Sequence, residues 1–219
     1  MRDLLVTGTD TGIGKTMIAA ALVTALRARG VRAIGFKPVE TGITTDEESD
    51  SETLARASGE RNVIAQPLLR LPEPLAPALA AERAGVELES DAIEDRIREL
   101  RREGYTLVVE GAGGVMVPLG WGFTILDIAQ SCDLDAIVVA RAGLGTLNHV
   151  ALTVMVLRSR EIPIRGIVLN GRSDLPDLAE ATNPASLSRM LHGVRVVEVP
   201  HARVGNPVQS AAQIVSRLL

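Results

Sequence analysis

The sequence predicts an α/β fold with a mainly parallel central sheet and helices on both faces. Apolar segments of strand length alternate along the chain with segments of helical periodicity, which is the pattern of an open parallel sheet. Apolar residues make up 46% of the 219 residues and aromatic residues only 2%, so Ala, Val, Leu and Ile must build the core. Because no linker, repeat or low-complexity tract interrupts the chain, residues 1–219 are predicted to form one domain.

The strands are predicted from short apolar runs that end in polar or glycine residues. Thr106–Glu110 is the clearest, and the run Gly111-Ala112-Gly113-Gly114 follows it. Pro38, which has no N–H for a sheet ladder, ends the second strand. The predicted strands are Leu4–Thr7, Arg32–Lys37, Thr106–Glu110, Ala136–Ala140, Ile164–Leu169 and Val194–Val199.

The helices are predicted from apolar residues at helical spacing between start and stop signals. In the first helix Ile18, Leu22 and Leu26 share one face, and Gly30 follows as a stop signal. Ser90 and Asp91 are candidate caps for a later helix. The predicted helices are Lys15–Arg29, about Ser51–Ser58, Ser90 to about Glu103, Ile125–Ser131, Thr146–Arg160, Asn183–Leu191 and Val208–Leu219.

Two segments are predicted to lack regular structure. Thr41–Asp50 is rich in Thr, Asp and Glu and is predicted to be a loop. Gln66–Ala80 contains four prolines and is predicted to be mostly irregular.

The stretch Gly8–Thr16, Gly-Thr-Asp-Thr-Gly-Ile-Gly-Lys-Thr, has the composition and context of a phosphate-binding loop. Its glycines let backbone N–H groups point at phosphate oxygens, and the start of the following helix favours an anion. Lys15 supplies a positive charge for the terminal phosphates, and the Thr16 hydroxyl can ligate Mg²⁺. Five residues rather than the usual four separate Gly8 from the Gly-Lys pair, so the loop is a variant. The expected fold is therefore that of a phosphate-loop NTPase.

Two further charged residues lie where predicted strands end. Lys37 ends the second strand and Glu110 ends the central one. Because the carboxyl ends of parallel strands meet at one edge, Lys15, Lys37 and Glu110 are expected to share a site. Glu110 could hold Mg²⁺ beside Thr16, since an unpaired carboxylate after an apolar run is costly to bury. Lys37 could neutralise a transferring phosphoryl group, but taken alone it is equally compatible with a solvated lysine at a strand end.

Composition also bears on partners and location. The net charge of −4 provides no basic footprint, which argues against nucleic-acid binding. No apolar run reaches the roughly 20 residues needed to cross a bilayer. A single cysteine, Cys132, excludes an intrachain disulfide, and the chain enters its first strand without a signal-peptide pattern. We therefore expect a cytoplasmic protein.

Four motifs, taken in order, resemble those of the dethiobiotin synthetase family. They are the loop Gly8–Thr16, Gly35-Phe-Lys-Pro-Val39, Val109-Glu-Gly-Ala-Gly-Gly114 and Leu144-Gly-Thr-Leu-Asn-His149. The resemblance extends from residue 4 to about residue 207. Related phosphate-loop amide ligases share the first and third motifs, whereas the combination of all four is specific.

The resemblance implies an ATP- and Mg²⁺-dependent ligase of biotin biosynthesis. Such an enzyme closes a ureido ring on 7,8-diaminononanoate with CO₂, giving dethiobiotin, ADP and phosphate. One amine forms a carbamate, the γ-phosphate is transferred to it, and the second amine attacks the mixed anhydride.

The resemblance also implies the roles of particular residues. Lys37 would be catalytic with the help of Lys15, and Thr16, Glu52 and Glu110 would hold the metal. Thr41 would contact the diamine, while Gly145, Thr146, Leu147 and Asn148 would bind the substrate carboxylate. In the family this last helix comes from the partner subunit, which implies a homodimer. The implied nucleotide site consists of Gly12, Ile13, Gly14, Lys15, Thr16, Met17, Glu52, Glu110, Gly111, Ala112, Gly113, Asn170, Gly171, Pro200, His201 and Ala202.

The chain departs from the family pattern at several of these positions. An aspartate ligates Mg²⁺ in the family, and alignment to the following Leu-Ala places Glu52 there, with Asp50 as the alternative. Gly171 stands where many members have aspartate, and Val208 where some have an acidic residue, so base selectivity stays open.

Two rival functions fit the sequence less well. An amidotransferase fragment would require a glutamine-hydrolysing domain with a nucleophilic cysteine, which a lone Cys132 does not provide. A non-enzymatic nucleotide switch would carry a second lysine early in the loop, where this chain has Thr9, Asp10 and Thr11.

Overall fold

The computed structural model describes residues 2–43, 48–59, 64–201 and 206–219. Its strands are β1 Leu4–Gly8, β2 Ala33–Phe36, β3 Val39–Thr41, β4 Leu69–Leu71, β5 Thr106–Gly114, β6 Pro118–Gly120, β7 Phe123–Thr124, β8 Asp135–Arg141, β9 Ile164–Arg172 and β10 Val196–Pro200. Its helices are α1 Lys15–Ala28, α2 Asp50–Ala57, α3 Pro77–Arg83, α4 Ser90–Arg102, α5 Ile125–Ser131, α6 Thr146–Ser159, α7 Leu178–Met190 and α8 Pro207–Val215, followed by a short 3₁₀ helix at Ser216–Leu218.

The central sheet has six strands in the order β10-β9-β8-β1-β5-β2, and every neighbouring pair is parallel. Two short two-stranded sheets, β3-β4 and β6-β7, lie beside it. The predicted α/β class with a parallel sheet is therefore confirmed, whereas the assignment of residues 1–219 to a single domain stays a prediction.

Helices cover both faces of this sheet. On one face α1, α8 and the α2 residue Leu54 pack against side chains such as Val6, Val108 and Val139. On the other face α4, α5, α6 and α7 pack against alternate residues such as Leu5 and Val138. Strands buried on both sides explain why their sequences are continuously apolar.

The core is almost entirely aliphatic, as the composition predicted. Phe36 is fully buried, and Tyr105 is 8% exposed with the Arg32 guanidinium over its ring. The single tryptophan, Trp121, lies outside the core in the turn between β6 and β7. Its side chain is 67% exposed, and its indole N–H donates to Glu82.

The structure differs from the predicted elements in several places; for example, β5 runs to Gly114 rather than ending at Glu110. The segment predicted to be irregular contains β4 and the start of α3, where Pro77 occupies a first-turn position that needs no N–H. Helix α7 begins at Leu178 rather than Asn183 and contains Pro184. Helix α4 begins at Ser90 itself, and its N-cap Glu89 makes no side-chain cap hydrogen bond, so the predicted capping by Ser90 or Asp91 is wrong.

No helix in the described ranges is both long enough and apolar enough to span a membrane.

A glycine in β2 sets how closely α2 approaches the sheet. A Cβ placed on Gly35 would lie 2.7 Å from Leu54 Cβ and 2.8 Å from Leu54 Cδ2, well inside contact distance. Leu54 is 1% exposed and packs against α1 as well, so it has little room to move. The absence of a side chain at position 35 therefore allows α2 to pack directly on β2.

We expect Gly35→Ala to lower the free energy of unfolding by about 1–3 kcal/mol, because the added methyl overpacks this contact. Urea or thermal unfolding measures the loss. Gly143→Ala is the matched control, since a Cβ there meets nothing within 4 Å. Equal stabilities of the two variants would contradict the proposed close approach.

Candidate functional site

Strand register brings the three predicted strand ends together. Val6 in β1 pairs with Glu110 in β5, and the loop Gly8–Thr16 begins two residues after Val6. On the other side of β5, Phe36 in β2 pairs with Val109, so Lys37 emerges next to Glu110. The phosphate loop and the Lys37 segment therefore flank the same carboxylate.

The phosphate loop ends in a conformation that requires glycine. Gly14 has φ +90° and is the N-cap of α1. The amide of Asn170, at the end of β9, donates to the Ile13 carbonyl at 2.9 Å. A Cβ on Gly14 would lie 2.2 Å from the Asn170 amide nitrogen, so a side chain is excluded by space as well as by φ.

Lys15 is folded back onto its own loop. Its ammonium donates to the Asp10 carbonyl at 2.8 Å, and burial lowers its pKa. The Asp10 carboxylate accepts from the Thr11 N–H at 2.8 Å and pairs with Arg141 at 2.7 Å. Residue 10 thus links the lysine to the end of β8.

The centre of the site is a cluster of two carboxylates, one ammonium and one hydroxyl. The Thr16 hydroxyl lies 2.8 Å from Asp50 Oδ1 and 2.8 Å from Glu110 Oε1, and its single proton can serve one of them at a time. Lys37 Nζ donates to Asp50 Oδ2 and lies 3.0 Å from Glu110 Oε1. The cluster joins α1, α2, β5 and the segment after β2.

Burial and pairing oppose each other in this cluster. Burial acts to lower the pKa of Lys37, but the carboxylates of Glu110 and Asp50 outweigh it and the pKa is raised. Burial acts to raise the pKa of Asp50, and the Lys37 ammonium reverses this and lowers it. Glu110 is 1% exposed, and burial raises its pKa despite Lys37. Lys37 is therefore held as an ammonium.

Glu52, the metal ligand predicted for this segment, and its alternative Asp50 lie in different surroundings. Asp50, the first residue of α2, reaches the cluster, whereas Glu52 points back to the helix start. The Glu52 carboxylate accepts from the Ser49 N–H and the Ser49 hydroxyl, both at 2.8 Å, while Ser49 caps the Glu52 N–H. This capping box occupies Glu52, so Asp50 replaces it as the candidate metal ligand.

The oxygens of this cluster fit a hard cation of the Mg²⁺ type. Mg²⁺ binds through one or two carboxylates and keeps several waters, which matches Asp50, Glu110 and the Thr16 hydroxyl. Within the described ranges Glu110 Oε2 is buried without a hydrogen-bond partner. The same ranges contain no group of three or more His, Cys, Asp or Glu residues arranged around a metal position.

A cavity of about 670 Å³ opens over the cluster. Its lining combines the polar residues of the cluster and the phosphate loop with an apolar wall, which consists of Val39, Val117 and residues 74–77 of the proline-rich segment. Sequence reasoning missed this apolar wall because it predicted the segment only as irregular. The predicted site residues that line the cavity are Gly12, Gly14, Lys15, Thr16, Lys37, Thr41, Glu110, Ala112 and Gly113.

A second cavity, of about 410 Å³, contains another group of the predicted nucleotide residues. Met17, Asn170, Pro200 and His201 line it, together with residues of α8. Asn170 also contacts the phosphate loop, which lines the large cavity. Ala202, predicted to belong to this group, lies outside the described residues.

The remaining predicted residues do not line either cavity. Gly111 is buried within β5, and a Cβ there would lie 3.3 Å from Ile125. Gly171 is exposed near the end of β9. Ile13 contributes its carbonyl to Asn170.

The predicted carboxylate-binding residues lie elsewhere on the same chain. Gly145, Thr146, Leu147 and Asn148 form the start of α6, where Thr146 is buried and Asn148 is exposed. They do not line the large cavity of their own chain. In this helix Leu152 and Met155 are 50% and 60% exposed, and Leu144, two residues before the helix, is 87% exposed; we call these three residues the apolar strip.

Comparison with solved structures supports the fold. The chain resembles a MinC:MinD cell division protein complex from Aquifex aeolicus, with TM-score 0.57, 13% identity, and coverage of 98% of this chain and 88% of that one. It also resembles apo McdA from Cyanthece, with TM-score 0.55, 13% identity, and coverage of 100% and 93%. At this identity the likeness concerns the fold alone.

Comparison with protein families is more specific. A family model described as an AAA domain matches residues 2–208. The protein named ATP-dependent dethiobiotin synthetase BioD from Anaeromyxobacter dehalogenans (strain 2CP-C) is 46% identical over 197 residues, covering 88% of this chain and 86% of that protein. The protein of the same name from Rhodococcus jostii (strain RHA1) is 43% identical over 200 residues, covering 90% and 85%. The chain therefore belongs to the ATP-dependent dethiobiotin synthetase family.

Proposed function

We propose that this protein is a dethiobiotin synthetase that closes a ureido ring on 7,8-diaminononanoate with CO₂ and ATP in biotin biosynthesis. The observation that carries the proposal is the convergence of Lys15, Lys37, Thr16, Asp50 and Glu110 on one cavity. This cavity combines a phosphate loop with a second ammonium, that of Lys37, which could bind another anion.

The reaction brings two anions together. One substrate amine adds to CO₂ and loses a proton, giving a carbamate. A carbamate oxygen attacks the γ-phosphorus and ADP leaves, which forms a carbamic–phosphoric anhydride. The second amine then attacks the carbonyl carbon, loses a proton and expels phosphate. Every nucleophile belongs to the substrate, so the protein contributes position and charge.

Lys15 and Lys37 supply the opposing positive charge. Because the raised pKa of Lys37 keeps it protonated, a charge-stabilising role is favoured over proton abstraction. Lys15 sits at the start of α1, where the backbone N–H groups of the phosphate loop also favour phosphate. Lys37 is therefore assigned to the γ-phosphate and carbamate, with Lys15 assisting it.

The residues Thr16, Asp50 and Glu110 would hold Mg²⁺, which when bound neutralises part of the triphosphate charge. Support comes from their shared geometry and from the unpartnered Glu110 Oε2 within the described ranges.

The polar and apolar parts of the large cavity's lining suit a substrate with charged or polar ends and an aliphatic middle. The apolar wall, which includes Val39, Val117 and Leu75, matches a methylene chain, and Thr41 offers a hydroxyl to the diamine end. We assign the substrate carboxylate to Gly145–Asn148 of a partner subunit, since in their own chain these residues do not line the cavity. The exposed apolar strip on α6 supports such a homodimer.

The smaller cavity is assigned to the nucleotide base, with Asn170, Pro200, His201 and Met17 around it. A cytoplasmic location completes the proposal, since Cys132 is buried and free.

The direct test is formation of dethiobiotin from the diamine, bicarbonate, ATP and Mg²⁺, followed by mass spectrometry. ATP hydrolysis is measured in parallel with each component omitted. Turnover of ATP that is indifferent to the diamine would favour a nucleotide switch or another amide ligase instead.

We expect Lys37→Gln to lower the rate of ring closure by roughly two to three orders of magnitude, because it removes a charge that acts on the transferring group. The affinity for ADP, which lacks the γ-phosphate, should change little when measured by titration calorimetry. Circular dichroism checks that the variant still folds, because Asp50 and Glu110 lose the ammonium of Lys37 that pairs with them. Normal turnover would remove Lys37 from the mechanism.

We expect Asp50→Asn to raise the Mg²⁺ concentration for half-maximal activity by roughly tenfold or more, since a carboxylate near the metal is lost. Glu52→Gln is the matched control on the same helix turn, and its Mg²⁺ titration should resemble that of the unmodified protein. A shift in the Glu52 variant alone would restore Glu52 as the ligand.

We expect the protein to sediment as a dimer, and Met155→Glu to shift it toward monomer with loss of activity, because a charge enters the apolar strip. Val86→Glu, at a similarly exposed apolar residue on the loop between α3 and α4, is the control and should remain dimeric. A fully active monomer would contradict the shared carboxylate site.

A further inference from the structure

A second buried carboxylate lies beside the site without a part in the reaction. Glu40, the middle residue of β3, is 2% exposed and is flanked by Val39 and Thr41, which line the large cavity. Its Oε1 accepts the backbone N–H of Ser51 at 2.6 Å. Its Oε2 lies 3.0 Å from the Nε of Arg70. A carboxylate buried this deeply is tolerated only when it is paired, and the Ser51 N–H and the Arg70 guanidinium are its partners here.

Arg70 extends the same contact to the start of α2. It is directly opposite Glu40 in the β3-β4 pairing. Its Nη2 donates to the Ser51 hydroxyl at 2.6 Å and to the Ser49 hydroxyl at 3.1 Å. The Glu40–Arg70 pair therefore contacts the residues on both sides of Asp50.

These contacts are made to the first turn of α2, where backbone N–H groups need partners from outside the helix. The first N–H groups of a helix have no partner within it, and a carboxylate near them is favourable. Glu40 satisfies the Ser51 N–H and Ser49 satisfies the Glu52 N–H. The start of this eight-residue helix is thus fixed to β3, the strand that follows Lys37.

We propose that Glu40 and Arg70 are positioning residues that hold the start of α2 so that Asp50 reaches Thr16 and Lys37. Neither residue touches the reacting groups. Because Oδ1 and Oδ2 of Asp50 meet two different partners, a small shift or rotation of the helix start breaks at least one contact. This inference rests on the proposed function in one respect, the assumption that Asp50 binds the metal as well as pairing with Lys37.

The test variant is Glu40→Gln, which keeps the shape of the side chain and removes its charge. Asp3→Asn is the matched control, because Asp3 is also a buried carboxylate that accepts a backbone N–H, from Leu107 at 2.7 Å, and pairs with an arginine, Arg101, at 2.6 Å. Asp3 directly precedes β1, at the amino end of that strand, whereas the cavity lies at the carboxyl ends of the strands and Asp3 does not line it. Both variants lose a buried ion pair, so stability alone does not distinguish them.

Three readouts are compared in the two variants and in the unmodified protein. Calorimetry measures ADP affinity across a Mg²⁺ titration, hydrogen exchange measures protection of the α2 amides, and steady-state kinetics measure the Mg²⁺ dependence of ring closure. In Glu40→Gln we expect the half-saturating Mg²⁺ concentration to rise roughly tenfold, with metal-free ADP affinity unchanged and exchange at Ser51 and Glu52 accelerated. In Asp3→Asn we expect none of these three changes.

The proposal is overturned if Glu40→Gln keeps the original Mg²⁺ titration, or if Asp3→Asn shifts it equally. Should Glu40→Gln fail to fold, Arg70→Lys decides by the same criteria, since it keeps the charge and loses the Nη2 bonds. Failure of the proposed function appears differently, as an unmodified protein that makes no dethiobiotin. The calorimetric and exchange readouts still test Glu40 in that case.

Discussion

The contact of one ammonium, that of Lys37, with two carboxylates is the interaction on which the site depends. Asp50 and Glu110 come from different elements, and bringing the partly exposed carboxylate of Asp50 close to the buried one of Glu110 is unfavourable without a cation between them. The lysine supplies that cation, and the carboxylates in turn keep the lysine charged. Each partner's protonation state is therefore a property of the group of three.

The backbone arrangement alone already places these groups close together. The pairing of β5 with β1 and β2 sets Glu110 between the phosphate loop and Lys37. Close packing of α2 on Gly35 brings the third element within reach, and the Glu40–Arg70 contact fixes its start. The precision of the site thus comes from strand register and from one short helix.

Much of this could be predicted from sequence because the signals are local. The loop Gly8–Thr16 carries its own pattern, and Glu110 ends the apolar run Leu107-Val108-Val109, which is easily recognised as a buried strand. Asp50 could have been preferred to Glu52, since Ser49-Asp50-Ser51-Glu52 matches the sequence signature of a capping box. Arg70 and the apolar wall could not, because a three-residue strand among prolines carries too little periodicity to be recognised.

The place of Trp121 has a practical consequence for spectroscopy. The only indole of the chain lies in an exposed turn and is absent from the linings of both the large cavity and the smaller one around Asn170. Its emission already reflects a largely aqueous environment in the native state, so loss of the core changes its surroundings little. Intrinsic tryptophan fluorescence will therefore report on the turn between β6 and β7. Circular dichroism is the suitable measurement for folding, and calorimetry for ligand binding.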